Sequence, residues 1–286
     1  MMTESSPDTG APTGLSTSGP VKEARRRSWW YRNRRTTVVW SLRAGVVLVF
    51  LLLWQIAGNT AANPMFVSDP VSVWEQLSAW IVDGTLGTHT WITIQEVVLG
   101  YVIGAAAGAL AGYVLASIRL IYDVFEPLMM ALYSIPKVAL APLFIVWFGI
   151  GIDMKVILAA VSVFFLVFLN TAAGVRDVDR GLVDAVRLMG GSNRDIAVKV
   201  VLPASMTGLI TGLKVSIPYA LIGAVIGELV ASNRGLGYLI NDSAAQFNTA
   251  GVFAAVVVLT ALAMVLNTLV GVLASRANRW KPLDAD

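Results

Sequence analysis

Few residues in this chain are placed to make or break bonds. Cysteine is absent and His89 is the one histidine, so neither a thiolate metal site nor a histidine cluster can be assembled. No Gly-x-x-x-x-Gly-Lys-Ser/Thr phosphate loop, no His-Glu-x-x-His zinc helix and no Gly-x-Ser-x-Gly nucleophile elbow occurs. The remaining acids and bases of interest fall into two groups. Glu96, Lys137, Lys214 and Glu228 stand singly inside apolar runs, where a charge is costly and by default marks a function. Asp184, Arg187, Arg194 and Asp195 stand together in a polar interval, with Leu182, Val183, Val186, Leu188 and Met189 interleaved at helical spacing. A short amphipathic helix of that kind suits docking into a partner's groove; the alternative is an amphipathic loop lying on lipid. No credible pair of carboxylates and no base beside a nucleophile is present, so the chain reads as a non-enzyme with no catalytic residues and no cofactor of its own.

The elements that position these residues are set by hydropathy. The chain has 286 residues, of which 56% are hydrophobic and 14% charged, and its mean hydropathy is +0.71. A soluble domain carries roughly a quarter charged residues. The apolar runs are continuous and reach the length of about 20 residues that a helix needs to cross a bilayer. A transmembrane barrel would instead show short alternating segments. The fold class is therefore an all-α polytopic membrane protein with six transmembrane helices. The spans are expected at 38–57, 92–117, 122–149, 155–174, 207–231 and 250–274, with an interfacial amphipathic helix at 72–83.

Residues 1–36 read as a disordered basic tail, polar and Pro/Gly-containing up to residue 24 and then rich in Arg25, Arg26, Arg27, Arg32, Arg34 and Arg35 around Trp29, Trp30 and Tyr31. That cluster suits a membrane surface. The apolar run behind it is read as an uncleaved signal anchor. Residues 37–275 form the transmembrane domain, with a polar loop at 175–205, and 276–286 a second tail. The 21 basic residues outnumber the 18 acidic ones by 3, and the excess is dispersed at loop ends, which fits membrane topology rather than nucleic-acid binding. The tails and the 175–205 loop hold most of the basic residues, whereas 59–90 has none and the other opposite-side loops offer only Lys155 and Arg234. The positive-inside rule makes both termini and the 175–205 loop cytoplasmic.

Within the spans, Gly100, Gly104, Gly108 and Gly112 recur every fourth residue. Such a stripe clears one helix face for close approach of another helix, within the subunit or in a dimer. Pro136 and Pro142 each remove a backbone donor from the third span, and Pro218 does so in the fifth. Opened backbone at membrane depth needs protein or a water-filled path beside it, so these prolines are pathway or gate candidates; a plain structural kink is the alternative. Glu228 has two readings: it lines the pathway or an outer gate, or it pairs with Arg234. Lys214 is read as lying near the cytoplasmic end of its span, where it can snorkel.

The order Asp184-Ala185, then Arg187, Leu188 and Gly190-Gly191-Ser192, then Leu202-Pro203, resembles the EAA loop of bacterial ABC-importer permeases. Asp184 stands where that family usually has Glu, Val186 where it has a second Ala, and Val200 where it has Ile. The Pro136-to-Gly149 stretch and the Gly-containing stretch 232–240 resemble the nitrate/sulfonate/taurine branch. The resemblance covers about 40–280. It implies the type I importer permease fold in a bacterial cytoplasmic membrane, with Asp184, Ala185, Arg187, Leu188, Gly190, Gly191, Ser192, Leu202 and Pro203 in a loop coupled to a separate ATPase. It also implies a second permease copy, an extracytoplasmic solute-binding protein, and ATP and Mg on the ATPase alone. The solute implied is small, with aliphatic sulfonate, taurine or nitrate favoured. A secondary transporter or channel without an ATPase is the competing class; it would leave the 175–205 loop unexplained and would call for matched broken helices.

Overall fold

The computed structural model describes the backbone of residues 21–60 and 67–277, and among these every regular element is helical. The chain divides into a unit ending at Ile56 and a unit beginning at Ala57. The first unit holds most of helix α1 (Val21–Thr60), whose segment Thr36–Thr60 is 25 residues long with a mean hydropathy of 2.0. No proline lies between Pro20 and Pro64, and arginine is a good helix former. The helix therefore runs back through 21–36, a stretch that composition alone assigns to a disordered tail. Residues 1–20 and 278–286 of the two tails lie outside the described residues.

The second unit opens with α2 (Pro70–Val82), capped by Asp69, whose carboxylate accepts from the Val71 and Ser72 N–H groups at 3.0 and 3.1 Å. Helix α3 (Thr85–Ser117) follows at once and begins well before the expected span. The third span is not one helix. Helices α4 (Arg119–Tyr133) and α5 (Lys137–Phe148) meet at 90°, and the break falls at Pro136, whose φ of −61° and ψ of 112° are extended. The residue before a proline avoids helical backbone, which ends α4. Pro142, by contrast, lies inside α5 without ending it. Its neighbours Ala141 and Phe144 are buried against Met154 and Leu158, and that packing holds the helix through the missing donor. Helix α6 (Ile152–Arg176) comes next, then α7 (Arg180–Leu188), α8 (Asn193–Ile196), a π-helical turn (Ala197–Val201), α9 (Leu202–Ala231), α10 (Leu236–Ala245) and α11 (Thr249–Ala277). Among the described residues, five helices are long and apolar enough to cross a membrane, or six when α4 and α5 count as one bent span.

Helix α6 is the axis of this unit, with 15 of its 25 residues buried. A Cβ added at Gly100, Gly104, Gly108 or Gly112 of α3 would strike α6 at Ala159, Ala160, Phe164 or Phe168 respectively. On α9, Gly208, Gly212, Gly223 and Gly227 sit equally tightly against Asn170, Val167, Ala159 and Lys155. Small residues here let backbones touch, which is how helices gain packing energy where lipid offers no hydrophobic drive. The order of these contacts fixes direction: α3 runs parallel to α6, and α9 antiparallel. The charge-free stretch of α6, 156–175, is 20 residues long, about 30 Å of helix, which matches the hydrocarbon thickness.

Candidate functional site

The polar interval 175–205 is mostly helix. Asp179 caps α7 by accepting from the Gly181 N–H at 2.7 Å. The helix ends at Gly190, whose φ of +80° is left-handed, and the Gly191 N–H returns to the Val186 carbonyl at 2.9 Å. Ser192 then caps α8, with Asp195 completing a reciprocal capping box. Asp195 also pairs with Lys199 at 2.6 Å. The helical run Asn193–Ala231 has 39 residues, about 58 Å, far more than a bilayer core. Gly208 already lies level with Asn170 and Gly174, so α8 stands beyond the Arg176 end of α6, in water. There the Lys199 and Ser192 bonds hold the Asp195 carboxyl well below the usual carboxylate range.

Between α8 and α9 the ladder widens to a π-turn. Pro203 cannot donate to the Lys199 carbonyl, and the Leu202 N–H reaches back five residues to Ala197 instead. Tyr113 of α3 donates to the same Ala197 carbonyl at 2.8 Å, tying the turn to the central helices. Sequence reading missed both features. Of the residues singled out there, Asp184 and Arg187 form a 3.5 Å exposed pair, while Leu188 and Met189 are 90% and 78% exposed. Ala185, Gly190 and Ser192 are exposed as well. The apolar side chains divide: Val183 and Val186 are half-buried, Leu182, Leu188 and Met189 face outward.

At the opposite, Lys155 end, three helices bring charges together. Glu96 of α3 and Lys155 of α6 form a buried ion pair, 0% and 5% exposed. The Lys155 ammonium also donates to Ser232 Oγ at 3.1 Å. Glu228 of α9 is buried and accepts from Thr93 Oγ1 and from the Gly237 N–H, both at 2.6 Å. Thr93 Oγ1 accepts from the Leu236 N–H at 2.9 Å, and His89 Nδ1 from the Gly235 N–H at 3.0 Å. The stretch 235–237 is thereby fastened through its backbone to side chains of α3 and α9. Gly235 has a φ of +112°, and a Cβ there would fall on the Glu228 carboxylate, so this position requires glycine.

Two sequence expectations fail here. Lys155 is a buried residue of α6 rather than part of an exposed loop, because Glu96 draws it inward. Arg234 is exposed, and no Glu228–Arg234 pair occurs among the described residues, since Thr93 and Gly237 occupy the two Glu228 oxygens. The apolar neighbours of Glu96 flagged it; nothing in the sequence named its partner. Lys137 donates to the Tyr133 carbonyl at 3.0 Å and lies over that ring at 4.4 Å, closing the α4–α5 bend. Pro218 is exposed within α9 and does not end it.

Residues 100–279 match the family model of the binding-protein-dependent transport system inner membrane component. The chain belongs to this family. It is 29% identical over 234 residues to the putative aliphatic sulfonates transport permease protein SsuC of Bacillus subtilis, covering 82% of this chain and 85% of that one. It is 32% identical over 240 residues to the riboflavin transport system permease protein RibX of Chloroflexus aurantiacus, covering 82% and 88%. It is 26% identical over 264 residues to the taurine transport system permease protein TauC of Escherichia coli, covering 90% and 94%. Among solved structures, an inward-facing MetNI methionine ABC transporter chain superimposes with a TM-score of 0.59 at 20% identity, over 66% of this chain and 94% of that one. The fold is that of a type I ABC importer permease, and the chain is a multi-pass membrane transport subunit.

Proposed function

We propose that this permease carries a small solute inward by alternating access, driven by a separate ABC ATPase that docks on α7. Two copies of the chain form the path between them, an extracytoplasmic binding protein delivers the solute, and ATP and Mg are held by the ATPase. Both termini and α7 face the cytoplasm. Aliphatic sulfonate, taurine or nitrate is the favoured cargo, in keeping with the relatives named for sulfonates and taurine. The observation that carries the reading is α7 itself: a capped helix without a buried residue, whose Leu188 and adjoining Met189 are 90% and 78% exposed beside a charged face. Such a surface is costly without a partner, and a ligand shifts a conformational equilibrium only through contacts that differ between its two states.

The test is uptake into right-side-out membrane vesicles with ATP inside and the proton gradient collapsed by an ionophore. Uptake that persists supports the ATP-driven reading; uptake that needs the gradient and ignores ATP contradicts it. Asp184→Arg and Gly190→Val are expected to leave the protein inserted and to cut ATP-driven uptake at least tenfold. Valine at Gly190 meets the left-handed φ of +80°, which β-branched residues resist. Wild-type uptake from both variants would remove α7 from the coupling path.

A further inference from the structure

Lys214 does not lie where a lysine near a span end would. Gly212 faces Val167 and Asn170, and Gly223 faces Ala159, so in antiparallel register Lys214 is level with Leu166 and Val167. Those residues are at the middle of the charge-free stretch 156–175 of α6. Lys214 is therefore about 15 Å from either surface of the hydrocarbon, beyond the reach of a snorkelling side chain, which spans only its own four methylenes. It is nevertheless exposed, on the face of α9 turned away from α6.

Three neighbours on that face are polar or unpaired in their backbone. Thr207 and Thr211 precede Lys214 at helical spacing and are both exposed. On their inner side they border a cavity of about 420 Å³ in the α6–α9 groove, which Asn170 and Asp177 also line and which stops short of Lys214. Pro218 follows four residues later and has no N–H to give, so the Lys214 carbonyl loses its helical partner. A lysine and an opened carbonyl at one depth are tolerated against water or protein, not against lipid. Among the described residues, the acids near the membrane stand at other depths: Asp123, Glu126 and Asp177 at the Arg176 end, Glu96, Asp153 and Glu228 at the Lys155 end. A second copy of the chain would add a second Lys214 and no carboxylate at that depth.

We propose that Lys214, with Thr211 and Thr207 behind it, lines a water-filled path at mid-membrane and receives the anionic group of the transported solute. This rests on the importer reading. The lysine supplies a compact positive charge with three donors, suited to the oxygens of a sulfonate or a similar small anion, and the threonine hydroxyls continue the polar track toward the Arg176 end.

The natural chain has no cysteine, so Lys214→Cys in the full-length protein, in native membranes with its partners, yields a single thiol. Water-soluble sulfonatoethyl and aminoethyl thiosulfonate reagents are the probes. The expected result is labelling by both reagents in sealed membranes, at least tenfold faster than for a Val215→Cys control. No labelling of the inserted protein, with full labelling after denaturation, would overturn the proposal, whatever the solute. Uptake of labelled taurine, methanesulfonate, nitrate and riboflavin is then compared between wild type and Lys214→Gln, Lys214→Arg and aminoethylated Lys214→Cys. The glutamine variant should lose anion uptake at least tenfold, with the other two restoring it. Undiminished anion uptake by Lys214→Gln, or wild-type uptake of riboflavin alone, would overturn the anion site while leaving the permease reading intact. Loss of the importer reading would show separately, as wild-type uptake indifferent to ATP.

Discussion

Glu96 and Lys155 illustrate what a single residue costs at membrane depth. Each is buried, and each is tolerable only because the other is there. Removing one partner of a buried pair typically costs about 3–5 kcal/mol, whereas replacing both by apolar residues is often neutral. Lys155→Met is therefore expected to lower the unfolding temperature of the detergent-purified protein markedly, and Lys155→Met combined with Glu96→Leu to recover most of it. A double variant no more stable than the single one would mean the pair does not act as a unit. The sequence shows each charge as out of place but cannot name the match, because the two belong to helices that meet only in the tertiary fold. Glu228 is the same lesson in reverse. Arg234 is its nearest cation along the chain, yet the fold satisfies Glu228 with Thr93 and a backbone N–H.

At the scale of elements, the glycine ladder was readable because its period of four is a local property, and close approach follows from the absence of a Cβ. Gly104→Leu with Gly108→Leu forces side chains into the α6 backbone at Ala160 and Phe164; overpacking costs roughly 1–3 kcal/mol per site in well-packed cores. The folded, monodisperse fraction on size exclusion should fall sharply, and an unchanged profile would contradict the α3–α6 packing. The α4–α5 bend was only half legible. Two prolines were visible, but only the buried Ala141–Phe144 face explains why Pro142 leaves α5 intact while Pro136 marks the break. The π-turn before Pro203 was not legible at all, since its partner Tyr113 lies on α3. In α8, the Asp195 carboxyl is held below its ordinary 3.8 by Lys199 and Ser192. A lowered carboxylate stabilises above its unfolded value, and that support vanishes as pH falls through the folded one. Protease sensitivity around 193–201 should therefore be flat from pH 8 to about 5 and rise only below about 4, and Asp195→Asn should abolish the acid-induced rise.

For the whole molecule, composition and run length were enough to establish membrane helices, because lipid leaves a backbone few options. The helices' directions relative to one another follow from the structure: the parallel α3 and α6 and the antiparallel α9 carry the Lys155 cluster to one end and α7 to the other. Which solute passes is not a property of the fold, since relatives at similar identity are named for sulfonates, riboflavin and taurine. The central claim is that α7 is the seat of an ATPase. Its most direct test is to purify the tagged chain from its native membrane in a gentle detergent and identify by mass spectrometry what accompanies it. The account predicts a phosphate-loop ATPase in about equal amount, lost on Asp184→Arg. A chain that purifies alone, even after mild crosslinking, would contradict it.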